Sequence, residues 1–237
     1  MGVEAAYSIE PVRPDDAKGL ATTMMSAFYQ ELHWRSLWHG KPLDEIIHDT
    51  ANRIPWNLVT NGPLRRYQKV VAKDSGEVVG YARWILPEDL ENCWPAARVP
   101  EVDEDTQKEY ERRYRSVLDA DGIRGLDHQM AQELSAAIDE SEERVKKDNG
   151  GRFLILDYLA VHPDHQRQGI GGMLLRSGLS VADENHLKVL VNARTQGMEL
   201  YGRNGFHKVD EVVQERPQYG WTEPQVTAVL LRFVQSN

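Results

Sequence analysis

Phe153-Leu154-Ile155-Leu156-Asp157-Tyr158-Leu159-Ala160-Val161-His162-Pro163-Asp164-His165-Gln166-Arg167-Gln168-Gly169-Ile170-Gly171-Gly172 is the most informative run in the chain. Through Val161 it is apolar except for Asp157, as expected of a strand buried on both faces of a sheet. His162-Pro163-Asp164-His165 ends that strand. A helix is expected from about Gly169 to Glu184, because Ile170, Leu174, Gly178 and Val181 fall on one helical stripe. The loop Gln166–Gly172 joins the two. A strand that feeds a glycine loop opening into a helix is an anion-binding device. The first amides of a helix lack partners within it, and the macrodipole places about half a positive charge there. Side chains would keep a phosphate away from those amides, and glycines leave the approach clear. Two common phosphate motifs do not fit. A Walker loop needs Gly-Lys-Ser or Gly-Lys-Thr, and the dinucleotide fingerprint needs a third glycine where Leu174 stands.

Working outward, Leu187–Ala193 reads as a further strand. Gln196–Arg203 reads as a short helix stopped by Asn204-Gly205, and Phe206–Val213 and Val226–Val234 as a closing strand pair. Toward the N-terminus, Tyr7–Val12 is a short strand. Pro14-Asp15-Asp16 opens a helix, since proline suits a first turn and acids there complement the dipole. Leu20, Met24, Ala27, Phe28 and Leu32 carry its spacing. A second helix covers Leu43 to about Leu58, with Pro55 interrupting it. Tyr67–Ala72 and Glu77–Leu86 flank a Lys73-Asp74-Ser75-Gly76 turn, a hairpin signal.

Between these parts, residues 88–150 hold 18 Asp and Glu against 9 Lys and Arg, while the remaining chain balances 19 against 19. Glu104–Leu118 and Gln129–Lys147 look helical, with many i,i+3 and i,i+4 charge pairs. The segment reads either as a solvated acidic insertion or as a wall over a site attractive to cationic substrates.

The 237 residues suit one substantial core. The net charge is −9, which disfavours nucleic acid and anionic membranes as partners. No apolar run approaches the roughly 20 residues of a membrane span, and no secretory leader is expected at the start. Gly2 would suit myristoylation, but Ala6 stands where that motif wants Ser or Thr. A single cysteine, Cys93, rules out an intramolecular disulfide framework and fits a reducing, cytoplasmic setting. His162 and His165 have no evident third metal ligand, so no metal is expected.

Gln166-Arg167-Gln168-Gly169-Ile170-Gly171 has the form Q-x-x-G-x-G. It follows Leu159-Ala160-Val161-His162-Pro163 and precedes Leu200-Tyr201 and Gly205-Phe206. With these residues and this order of elements, the chain resembles the GCN5-related N-acetyltransferase (GNAT) family over roughly residues 7–87 and 152–234. The resemblance implies a mixed α/β (α+β) fold, with a mostly antiparallel central sheet of about seven strands flanked by helices. Residues 88–150 would be an acidic helical insertion within a single 1–237 domain. It implies acetyl-CoA as co-substrate, held by Leu159, Ala160 and Val161, by Gln166, Arg167, Gln168, Gly169, Ile170, Gly171 and Gly172, and by Arg194 and Tyr201.

The implied reaction is direct attack of a primary amine on the thioester in a ternary complex. The Leu159 N–H would steady the oxygen of the tetrahedral intermediate, and Tyr201 would be the general acid. Asp157 is the leading candidate for the base. It shares strand parity with Leu159 and Val161, and a carboxylate inside an apolar strand is costly unless paired or hydrated; the competing reading is a structural Asp bonded to a neighbouring backbone group or cation. Glu88, Asp89 and an ordered water chain remain alternatives. Where many relatives carry Asn or Ser, this chain has Arg194-Thr195. Arg194 could meet a coenzyme phosphate, a substrate carboxylate or solvent. Trp34, Trp38, Trp56, Trp84 and Tyr158 could wall a pocket. The acidic segment suggests a small cationic amine as acceptor, with a protein amine also open, and the enzyme is expected as monomer or homodimer. A non-catalytic acyl-CoA sensor and an interaction protein are the rival readings.

Overall fold

The structure, a computed structural model, describes residues 3–234. Gly2 lies outside the described residues. After a single turn, α1 (Val3–Ala6), the chain enters β1 (Tyr7–Pro11), then the helices α2 (Ala17–Phe28), α3 (Leu32–Arg35) and α4 (Leu43–Thr60). The hairpin β2 (Arg65–Ala72) and β3 (Val78–Ile85) follows. The acidic segment contains α5 (Glu104–Arg115), the two-residue strands β4 (Leu118–Asp119) and β5 (Gly122–Ile123), and α6 (His128–Asn149). Strand β6 (Phe153–Val161) leads to α7 (Ile170–Glu184), β7 (Lys188–Ala193), α8 (Met198–Arg203), β8 (His207–Gln214) and β9 (Gln225–Arg232). Seven strands form one sheet in the order β1-β2-β3-β6-β7-β9-β8. Only β6 and β7 run parallel. The mixed, mostly antiparallel sheet expected from the sequence is the one observed.

Side chains alternate across each strand, so the two sheet faces collect different partners. Trp84, Leu154, Leu156, Val189 and Val191 pack with Leu174, Leu175 and Leu179 of α7. Trp84 is fully buried there, and a Cβ on Gly178 would sit 2.2 Å from its ring, so this glycine lets the helix close onto the sheet. On the opposite face Tyr67 and Tyr81 meet Leu20, Ala21, Ile54 and Leu58 of α2 and α4. Further along that face Leu190, Val229 and Leu231 meet Val145 of α6.

Two sequence expectations change here. Pro55 does not interrupt α4, which runs on to Thr60. Proline removes one N–H, the one that would have served the Ala51 carbonyl. That carbonyl lies 3.5 Å from Nη2 of Arg113 on α5, which supplies a substitute donor. The acidic segment is also more than a solvated decoration. Its second helix covers the sheet: Ser141 donates to Asp210 at 2.6 Å, Gln214 donates to the Leu134 carbonyl at 3.1 Å, and Asn192 donates to Glu142 at 2.7 Å. Met130, Leu134 and Val145 of this helix are buried. The heavy net charge masked an amphipathic helix.

Candidate functional site

Strands β6 and β7 pair from Phe153↔Lys188 to Leu156↔Val191 and no further. Beyond Leu156, β6 keeps its antiparallel partner β3, from Arg83↔Tyr158 to Gly80↔Val161, but has none on its other edge. The direction of its main-chain groups follows from the ladder. His162 N–H donates to the Val79 carbonyl at 2.9 Å. Hydrogen-bonded and non-hydrogen-bonded pairs alternate along an antiparallel ladder. Ala160 and Tyr158 therefore point their main-chain groups at β3, whereas Leu159 and Val161 point theirs into the open gap. The Val161 carbonyl accepts from Nε2 of Gln166 at 3.2 Å across that edge.

The gap widens into a cavity of about 1010 Å³, whose wall includes Leu156 through Val161, Gln166, Arg167, Gly169 through Gly172, Arg194 and Tyr201. Gly169 takes φ 89° as the residue before α7, and the helix start has no side-chain cap. Its first amides therefore face the cavity without an acceptor from the fold. Arg167 also adopts a left-handed φ of 64°, a strained conformation for a residue with a Cβ. A Cβ on Gly171 would lie 3.3 Å from Leu200, so the glycine both admits α8 and clears the approach to the amides. Gln168 is the exception among the loop residues. It does not line the cavity, and its Oε1 accepts from the Tyr7 hydroxyl at 2.5 Å. The same hydroxyl lies 3.2 Å from Nδ1 of His165, so Gln168 and His165 anchor the loop to β1. Among the described residues no group of three or more His, Cys, Asp or Glu is placed to hold a metal ion. No helix there is long and apolar enough to cross a membrane.

Asp157 is the residue whose setting the strand pattern misjudged. The β3–β6 register slips between Arg83 and Trp84, leaving Asp157 as the extra residue of a bulge. A bulge re-aims side chains. Asp157 thus leaves the parity of Leu159 and Val161 and hydrogen-bonds Nε of Arg83, whose guanidinium lies 4.2 Å over the Tyr158 ring. It still lines the cavity, as one half of an ion pair. Glu88 and Asp89 do not line it, and Asp89 pairs with Arg152 at 2.7 Å.

Tyr201 is 6% exposed and packs edge-on against Phe206 with centroids 5.4 Å apart. Burial pushes its phenol above the ordinary value, which keeps it protonated as a donor. A Cβ on Gly197 would lie 2.8 Å from the Tyr201 ring, so this glycine makes room for it. Arg194 does not point to solvent. It is half-buried, and its Nη1 has no hydrogen-bond partner. Burial pulls it below its ordinary value, and nearby Glu31 offsets this in part.

Several polar residues of this wall escaped the sequence reading, Gln30, Glu31 and His33 among them. The spacing through Leu32 predicts one continuous helix, but α2 stops at Phe28 and Glu31 is extended (φ −82°, ψ 124°) before α3 begins. No glycine or proline marks that break. His33 Nδ1 lies 3.8 Å from Glu31. Burial, and then the charge of Arg194, lower His33 to about 3, so its ring is neutral at pH 7.

On the far side of Tyr158 a second cavity, of about 270 Å³, shares Phe28, Trp34 and Tyr158 with the first. Trp34 and Trp38 are among its walls. Trp84 is instead buried under α7, and Trp56 packs near Tyr114 of α5.

These features fit a coenzyme A thioester. The uncapped glycine turn could receive a diphosphate and the unpaired edge of β6 an amide-bearing arm, and the buried Nη1 of Arg194 has no hydrogen-bond partner. Residues 134–208 match the model of the acetyltransferase (GNAT) domain family, starting inside α6. No curated protein matches the sequence. Among solved structures, arylalkylamine N-acetyltransferase 2 from Aedes aegypti aligns with a TM-score of 0.60 at 9% identity, covering 97% of this chain and 99% of that one. The Drosophila melanogaster polyamine N-acetyltransferase, which forms N-acetylagmatine, gives 0.55 at 14% identity over 96% and 100%. A histone acetyltransferase HPA2-related acetyltransferase from Corynebacterium glutamicum gives 0.56 at 13% identity over 98% of each chain. The chain thus shares the fold of solved acetyltransferases, and its residues 134–208 match the GNAT acetyltransferase domain model.

Proposed function

We propose that the protein is an N-acetyltransferase that moves an acetyl group from acetyl-CoA to the primary amine of a small molecule, by direct attack within a ternary complex. The observation that carries this reading is the continuity of two unpaired main-chain surfaces. The free edge of β6 at Leu159 and Val161 and the uncapped start of α7 line one cavity. Acetyl-CoA supplies, when bound, a thioester carbonyl open to attack by an amine.

The residues of this chain divide the remaining work. Amides of Gly169, Gly171 and Gly172 hold the diphosphate, and Gln166, Arg167 and Ile170 shape that turn. Main-chain groups of Leu159 and Val161, with Ala160 between them, align the arm. The Leu159 N–H faces the gap, where it can stabilise charge developing on the carbonyl oxygen. Tyr201, kept protonated by burial, gives its proton to the departing sulfur. Asp157 attracts the amine and takes its proton. Arg83 donates a hydrogen bond to that carboxylate and fixes its position, and the proton passes on to water.

The test is thiol release in the presence of acetyl-CoA and a panel of amines, together with a thermal-shift titration with acetyl-CoA alone. Turnover on at least one amine is expected. A shift without turnover on any amine would favour a coenzyme sensor, and no shift at millimolar acetyl-CoA would remove both readings.

A further inference from the structure

Polar groups that leave water are nearly always paired, and a buried one left single calls for an explanation. Three residues that line the smaller cavity each carry such a group: Nε of Arg53, Nε1 of Trp38 and the hydroxyl of Tyr67. Each can donate a hydrogen bond, and the first two can do nothing else. Asn61 lies near the Tyr67 hydroxyl without forming a bond of normal length. Arg53 is 8% exposed. Its Nη2 donates to Thr50 Oγ1 at 2.8 Å, and it has no ion-pair partner among the described residues. The acid one turn earlier on α4, Asp49, is held instead by Lys41 at 2.6 Å. A guanidinium removed from water without a counter-ion is costly. Burial accordingly pulls Arg53 below its ordinary value, with Tyr114 and Asp49 offsetting part of the shift.

The charged side chains of the wall are arginines, of which Arg83 is paired with Asp157 and Arg53 has no counter-ion. Arg53 and Arg83 line this cavity, and no Asp or Glu does. The acidic segment contributes only Ile123, Leu126 and Ala131 to it. A second ammonium in this cavity would meet the unpaired guanidinium of Arg53, and among the lining residues no carboxylate faces it.

The geometry points to a carboxylate-binding pocket for the acceptor. The favoured substrates would be amino acids or similar amino carboxylates with an apolar or aromatic body, and not polyamines. Arg53, Tyr67 and Trp38 donate to the carboxylate oxygens. The body lies among the apolar side chains, and the amine emerges at Phe28, Trp34 and Tyr158, where the cavity joins the coenzyme gap beside Asp157. That last step rests on the acetyltransferase reading. In it the neutral amine nitrogen forms the new N–C bond, the C–S bond breaks, one proton leaves nitrogen toward Asp157, and one reaches sulfur from Tyr201, with water carrying the proton from Asp157 back to Tyr201.

Pairs of acceptors that differ only in the carboxylate test this: phenylalanine against phenylethylamine, and tryptophan against tryptamine. The acid member of each pair is expected to lead in kcat/KM by roughly 30-fold or more. Arg53→Gln, and more mildly Tyr67→Phe, should shrink that ratio through KM, with circular dichroism melts verifying the fold of each. Calorimetry of 3-phenylpropionate against 3-phenylpropanol reads the pocket without chemistry. Only the acid should bind the wild-type protein, and Arg53→Gln should abolish that binding. Preference for the decarboxylated amines, or an acid preference untouched in both variants, overturns the proposal. Arg53-dependent binding of 3-phenylpropionate without turnover on any amine keeps the pocket and removes the acetyltransferase reading. Acetylation blind to the carboxylate does the reverse.

Discussion

The two cavities that meet at Tyr158 are built on opposite plans. The larger is made of main chain: a free strand edge and an uncapped helix start, with glycines where bulk would intrude. The smaller is made of side chains brought from α2, α3, α4, β2, β3 and the acidic segment, including single buried donors on Arg53, Trp38 and Tyr67. Main-chain recognition tolerates many sequences, because every residue brings the same amide. Side-chain recognition depends on which residues happen to converge. The first plan suits a co-substrate common to a family, and the second suits whatever is particular to this protein.

The sharpest way to break that contrast is to put bulk into the main-chain site. Gly171→Val would press on Leu200 and cover the amides, and acetyl-CoA affinity measured by calorimetry is expected to fall about 100-fold. Affinity within a few-fold of wild type would mean that the diphosphate is held elsewhere. Tyr201→Phe removes one oxygen from the same cavity. Turnover should drop about 100-fold with little change in acetyl-CoA affinity, and undiminished turnover would end its assignment as the acid.

Asp157→Asn tests the junction between the cavities. A turnover loss between about 10- and 100-fold is expected, and a rate equal to wild type would assign the base to Glu31 or to water. The smallest expected effect concerns stability. His33 is held near 3 in the fold, against an ordinary value of 6.5, so it is neutral when folded and gains a proton on unfolding in acid. That contribution is fully present above about pH 6.5 and is lost as pH falls toward 3, a change of up to a few kcal/mol. Melting temperatures across this window should decline less steeply for His33→Asn, and parallel curves would show that the ring is not buried neutral.

The strand, loop and helix start that wall the larger cavity were legible in the sequence because their signals are local. An apolar run, a proline break and glycines at fixed spacing lie within twenty consecutive positions, 153–172. What failed there failed for tertiary reasons. Strict alternation puts Asp157 with Leu159, and only the pairing to β3 reveals the bulge that turns it onto Arg83. Gln168 belongs to the motif by spacing, yet its side chain is taken by Tyr7 from the other end of the chain. His33 carries no local mark at all, since a histidine in a polar stretch reads as solvent-facing until its neighbours are known.

By itself, then, the sequence determined most of the helices and strands, because hydrogen-bonding geometry and hydrophobic periodicity act over a few residues, while the mixed sheet was implied by the family resemblance. Only the tertiary structure decided which side chains line the smaller cavity. The charge of a cavity is set by the few side chains that reach it, and the acids of residues 88–150 do not line this one while Arg53 and Arg83 do. Coulombic and hydrogen-bonding forces act across space rather than along the chain, so no count of charges within a segment could have supplied that answer.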